Sequence, residues 1–165
     1  MPARLALFSL VLVAAAAAAR ADGAAAQVLW VPLGGESFRL ELALDPEARQ
    51  RGLSGRARIA ANEGMLFVFP QPRPLAMVMR DCPVPIDVAF LDADGVVVAV
   101  HEMRPEPPRA PGETPWAYEA RLPQYPSPAP AQLAIEVAGG RLRQLGVSPG
   151  SRVALDTRML LGWTR

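Results

Sequence analysis

An aspartate facing a histidine across two paired strands can fix the imidazole tautomer and support it as a base, and Asp87 and His101 are spaced for that arrangement. Between them, the apolar runs Ile86 to Leu91 and Val96 to Glu102 flank Asp92-Ala93-Asp94-Gly95, a strong hairpin signal. A three-residue loop, Ala93-Asp94-Gly95, closed by a glycine bulge, sets Asp92 against Val96 and Asp87 against His101. A two-residue loop sets Asp87 against Glu102, two like charges in register, so the first arrangement is expected. Ile86, Val88, Phe90, Val98 and Val100 then share one apolar face. The competing reading is a satisfied structural contact, because no serine or cysteine nucleophile adjoins the pair in sequence.

A second set is wider. Arg51, Arg80, Asp81, Asp87, Glu102 and Glu136 stand within or at the ends of strongly apolar segments. Charges so placed must pair with one another or face a cleft, because an unpaired buried charge is costly. Closed arginine–carboxylate pairs satisfy that demand structurally, and a site for a polar ligand satisfies it functionally. Cys82, the single cysteine, lies between Asp81 and Pro83. A neighbouring carboxylate disfavours thiolate, so Cys82 reads as a small packed side chain. Asp92-Ala93-Asp94-Gly95 also begins like a calcium loop, but Val96 to Val98 occupy the following ligand positions. With one histidine and one cysteine, no metal site and no cofactor are expected.

The elements that must position these residues are mostly strands. Ser37 to Leu44 alternates, with Phe38, Leu40, Leu42 and Leu44 on one face, which predicts a half-buried strand. Asp45 can cap a helix of about two turns that starts at Pro46, carries Arg49 and Arg51 on its last turn and stops at Gly52. Gly64 to Phe69 and Leu75 to Arg80 read as buried strands joined by the Pro70 to Pro74 turn. Pro105 to Pro130 holds half of the chain's 18 prolines, so most of it cannot be helix or central strand. Its Trp116, Tyr118 and Tyr125 suit a lid or a partner surface, and a disordered excursion is the competing reading. Leu133 to Val137 is a further strand, Gly140 to Leu145 a short helix stopped by Gly146, and Arg152 to Asp156 a last strand.

These elements predict a mostly β fold, a compact β-sandwich or barrel-like single domain with one or two short helices. The expected organisation is a signal peptide over 1–21, a lead-in and first strand over 22–36, the β domain over 37–156 with a proline-rich loop over 105–130, and a tail over 157–165.

Met1 to Ala21 carries the parts of an export signal: Arg4, an apolar stretch from Leu5 to Ala19, and Ala19-Arg20-Ala21 for cleavage. The apolar run is short for a membrane span, so the expected location is periplasmic or secreted, with no stable membrane anchor after cleavage. Without Arg4 and Arg20 the 17 basic residues fall to 15 against 16 acidic, and a nucleic-acid partner is not expected. The expected partner is a small polar ligand or an envelope protein.

Several segments in order resemble the bacterial domain-of-unknown-function family 192. They are Arg51-Gly52-Leu53, Gly64 to Phe69, Met79-Arg80, Pro85 to Asp92, Glu136 to Gly140, Gly146 and Pro149-Gly150. The resemblance spans Phe38 to Asp156 and implies a compact, largely β domain, commonly exported, with no established activity. It maps the family's motif positions onto Arg51, Gly64, Met79, Arg80, Asp87, Glu102, Tyr125 and Glu136. The chain departs from the family's aromatic-Trp-Met-Lys-Asn-Thr run, reading Met77 to Cys82 instead, and Arg109 to Arg121 stands as an insertion. The candidate cluster is therefore Arg51, Met79, Arg80, Asp81, Asp87, His101, Glu102, Tyr125 and Glu136. The function expected is a binding or accessory module; the alternatives are a hydrolase-type enzyme using Asp87 with Glu102 or His101, and an interaction protein acting through the aromatic loop.

Overall fold

The computed structural model describes residues 27–164, and the expected signal segment lies outside them. The chain enters through β1 (Val28–Leu33), turns at Gly34-Gly35 and returns antiparallel as β2 (Glu36–Ala43). Asp45 then caps α1 (Pro46–Arg51), its carboxylate accepting the Ala48 amide at 2.7 Å. Because that helix carries the chain back along the sheet, β3 (Glu63–Arg73) lies parallel to β2.

After β3 come a two-residue strand, β4 (Ala76–Met77), and the hairpin of β5 (Ile86–Leu91) and β6 (Val97–Met103). Helix α2 (Pro115–Arg121), β7 (Tyr125–Pro126) and β8 (Ala131–Ala138) follow, then α3 (Arg141–Gln144) and α4 (Thr157–Leu161). The six longer strands form one sheet in the order β1-β2-β3-β8-β5-β6, and β4 pairs with β7 in a separate ribbon. The fold is mostly β, as the sequence indicates.

Strands β3, β8 and β5 are buried because the sheet is covered on both faces. On one face, Phe38, Leu40, Leu66, Leu133 and Ile135 pack with Leu142 of α3, Val147, Val153 and Leu160 of α4. On the other, Phe67, Phe90, Val88 and Ala134 pack with Leu53, Leu75, Met79 and Cys82 from the segments that cross over them. Each fully buried side chain of this size contributes about 2 kcal/mol, so both layers are needed to hold the central strands.

Three expectations change. Leu75 to Arg80 is not a buried strand: only Ala76 and Met77 pair, and the rest arches over the sheet, burying Leu75 and Met79. Arg152 to Asp156 makes a single bridge, Val96 with Arg152, and the expected tail instead begins with α4, capped by Asp156 on the Met159 amide. The proline-rich segment folds locally as well, since Thr114 caps α2 through the Ala117 amide and Tyr118 is buried.

The hairpin has the expected loop and a different register. Asp92 and Val96 pair at its neck, and Gly95 adopts φ 76°. One extra residue, Val98, then bulges between Leu91↔Val97 and Phe90↔Ala99, so Asp87 faces Glu102 and Val88 faces His101. The Asp87–His101 pair does not form: the two side chains lie on opposite faces of the sheet.

Candidate functional site

The register places Glu136 of β8 beside Met65 of β3 on one side and Val88 of β5 on the other. Met65 and Val88 belong to the layer built around Phe67 and Phe90, so the Glu136 carboxyl points into an apolar stratum. Above it cross the end of α1 and the arch from Ala76 to Cys82, which leave a cavity of about 140 Å³. A cavity of about 150 Å³ holds a benzene-sized molecule. Leu53, Phe67, Met77, Val78 and Cys82 wall it, Glu136 lies at its floor, and Arg49, Arg51 and Arg80 stand around it.

Gly52 keeps this space open. It adopts φ 50°, and a Cβ there would sit 3.4 Å from the Phe67 ring and 3.8 Å from Oε2 of Glu136. A side chain at this position would both strain the turn after α1 and fill the cavity roof.

Glu136 is 6% exposed, and no hydrogen bond or ion pair offsets its burial, which alone pushes the carboxyl up to about 8. Among the described residues, no fully enclosed side-chain oxygen or nitrogen lacks a partner. The Glu136 carboxyl meets that condition by opening into the cavity. At neutral pH it is chiefly protonated, able to donate one hydrogen bond and accept others.

Close by, burial first and the Glu136 charge second raise the Cys82 thiol to about 11, and its Sγ is turned to the Arg80 carbonyl at 3.3 Å. Cys82 therefore stays a thiol, in keeping with the sequence reading, although the sequence did not place it in the cavity wall.

The three arginines differ in what they already hold. Arg49 donates to the Leu44 and Val68 carbonyls at 2.9 and 3.0 Å. Arg80 makes a bidentate pair with Glu119 of α2 and donates to the Gln50 carbonyl at 3.1 Å. Arg51 has only a loose contact with Glu47 at 3.6 Å, its side chain 64% exposed. Arg51 is thus the guanidinium with the most donors to offer. Outside the cavity a vestibule of about 310 Å³ is lined by Glu47, Gln50, Arg51, Ser54, Arg80 and Asp81.

The arch is tied down from both sides. Ser54 donates to the Arg80 carbonyl at 2.8 Å, and the Gly55 amide donates to the Asp81 carbonyl at 2.8 Å. Asp81 adopts φ 52°, a left-handed conformation that aspartate tolerates better than most residues. The Tyr118 hydroxyl accepts from the Asp81 amide at 3.0 Å and donates to its carboxylate at 3.1 Å. The aromatic segment thus acts as a clasp on the arch, a role the sequence did not reveal, while Trp116 stays 80% exposed beside it.

The other candidates lie elsewhere. Asp87 is fully buried on the opposite face, its two oxygens accepting the Gly140 and Leu142 amides at 2.9 Å each. Burial raises its pKa despite those bonds, and the two bonds anchor the turn into α3. Glu102 faces it from β6 and pairs with Arg143 at 2.7 Å, both well exposed. His101 contacts the Pro126 carbonyl through Nε2 at 2.8 Å, its ring edge-on to Phe90 and Tyr125. Met79 is core. Of the nine candidates, Arg51, Arg80 and Glu136 converge on one cavity with Asp81 at its vestibule; the remaining five do not join them. Among the described residues, no group of three or more histidine, cysteine or acidic side chains could hold a metal ion.

Residues 29–155 match the DUF192 family, described as "Uncharacterized ACR", and the chain belongs to that family. No curated protein matches it. Two solved structures share the fold. One, from Novosphingobium aromaticivorans DSM 12444, is described as a protein of unknown function; it is 24% identical with a TM-score of 0.66 over 79% of this chain and 86% of its own. The other, from Sinorhizobium meliloti 1021 and provisionally described as a transcription regulator, is 29% identical with a TM-score of 0.60 over 76% and 89%.

Proposed function

We propose that this protein is an exported small-molecule-binding module whose site is the cavity above Glu136. The observation that carries the reading is one buried carboxyl with no protein partner facing a half-open cavity of molecular size. A fold under selection for stability alone gains by replacing such a group with an apolar one of similar volume. Keeping it fits a ligand that completes its hydrogen bonds. Export is supported by the pattern of Met1 to Ala21. The regulator description of the Sinorhizobium protein is not carried over, since 17 basic against 16 acidic residues give no excess for phosphate.

A thermal-shift screen of small metabolites against the purified protein and its Glu136→Leu variant tests the proposal. A binder is expected to raise the melting temperature of the native chain and leave the variant unmoved. A binder that stabilises both equally would place the site elsewhere.

A further inference from the structure

We infer that the ligand is a small oxo- or hydroxy-carboxylic acid, bound with its uncharged oxygen against the Glu136 carboxyl and its carboxylate against Arg51. This rests on the cavity being the binding site and goes on to assign the chemistry of its occupant.

The floor excludes a cation more strongly than it excludes a neutral group. Leu53, Phe67, Met77, Val78 and Cys82 surround Glu136 with apolar or weakly polar atoms. Seating an ammonium there would require both it and the ionised glutamate to lose water, and a buried pair seldom recovers that cost without further hydrogen bonds. Leu53, Phe67, Met77 and Val78 supply none, and the uncharged polar lining residues, Gln50 and Ser54, are shared with the outer vestibule. A protonated carboxyl donating to a carbonyl or hydroxyl oxygen buries no net charge.

The mouth has the opposite character. Arg49, Arg51 and Arg80 line the cavity, and Glu136 is its one carboxylate-bearing residue. Arg49 and Arg80 are held by the carbonyls and by Glu119, so Arg51 is the donor free to meet a ligand carboxylate in a fork. Glu47 and Asp81 stand farther out, in the vestibule, with Asp81 bonded to Tyr118. These acids disfavour a bulky polyanion and leave a single carboxylate as the fitting charge. The volume of about 140 Å³ limits the inserted part to the size of a benzene ring.

Three probes of matched length separate the possibilities by calorimetry on the purified protein: 4-oxopentanoate, its methyl ester and 5-aminopentanoate. The oxo-acid is expected to bind with an affinity that is level up to about pH 8 and then falls about tenfold per pH unit as Glu136 ionises. Charged neighbours that could shape the profile are Arg49, Arg51, Arg80, Glu47 and Asp81; Cys82 titrates above this range. Glu136→Gln, which keeps a donor, is expected to hold affinity within about threefold and to flatten the pH profile. Arg51→Gln and the ester are each expected to lose about tenfold. Tighter binding of the amine, strengthening toward pH 8 and lost in Glu136→Gln, would overturn the ligand class while leaving the site in place. Binding of any probe that neither Glu136→Leu nor Arg51→Gln alters would overturn the site itself, as would failure of all three to bind.

Discussion

Asp87 and Glu136 are buried carboxyl groups on neighbouring strands of one sheet, and they have opposite fates. Asp87 points to one face and is met by two backbone amides at the turn into α3, so its burial builds structure. Glu136 points to the other face and is met by no group of its own chain, so its burial stores a demand that a second molecule can fill. Both have raised pKa values because of burial and both border a cavity, but the Asp87 oxygens are taken up by backbone amides whereas Glu136 has no internal donor. A displaced pKa therefore does not identify a functional carboxyl by itself; the absence of internal donors does.

The sharpest way to break this contrast is Asp87→Ala. It strands one buried and one half-buried amide and should cost about 3 to 4 kcal/mol, lowering the melting temperature by roughly 10 °C without changing ligand affinity at the Glu136 cavity. A loss of under about 1 kcal/mol in urea unfolding would show that the anchor is dispensable.

Gly64→Ala should come next, at about 3 kcal/mol, because a Cβ there would lie 2.0 Å from the Glu136 carbonyl in the paired strand. The main chains would have to separate, so the variant should also weaken ligand binding; intact binding in a destabilised variant would uncouple the two.

Glu136→Gln should act with the opposite sign. In the unfolded chain this carboxyl loses its proton near 4.5, and in the folded protein near 8, so between those values the unfolded state holds fewer protons. Native stability should therefore be complete below about pH 4.5, decline as pH rises toward 8 and level off above it. The glutamine variant should lack that decline and be the more stable of the two at pH 8. Parallel urea midpoints across the range would contradict this.

The smallest effect belongs to the clasp. A double-mutant cycle on Arg80→Gln and Glu119→Gln should give a coupling of about 1 kcal/mol, since the pair is bidentate but partly solvated. Faster hydrogen exchange at Asp81 in either variant would show that α2 steadies the arch.

Much of the scaffold was legible in the sequence because local chemistry specified it. The alternation in β2, the Asp45-Pro46 start of α1 and the Asp92 to Gly95 loop each contain their own signal. The bulge at Val98 does not: Val96 to Val100 is an unbroken apolar run, so no pattern fixes which residue is extra, and a one-residue slip exchanges the faces. That slip turned an expected Asp87–His101 pair into a structural anchor and a separate histidine.

The site was half visible. Glu136, Arg51 and Arg80 stood out as charges among apolar residues and as family motif positions, but their convergence depends on the path of the arch from Ala76 to Cys82. That path is held by Ser54, Gly55 and Tyr118, residues distant in sequence whose contacts leave no periodic trace. Helix α4 could have been found from Asp156 followed by the apolar Met159, Leu160 and Leu161.

The central claim is that Glu136 is an unpartnered carboxyl in an apolar-walled cavity. A ¹³C NMR titration of its side-chain carboxyl in the ligand-free protein tests this most directly. The structure calls for an inflection near pH 8 that moves upward when a ligand accepting the carboxyl proton saturates the cavity; an inflection near 4.5 in the free protein would contradict it.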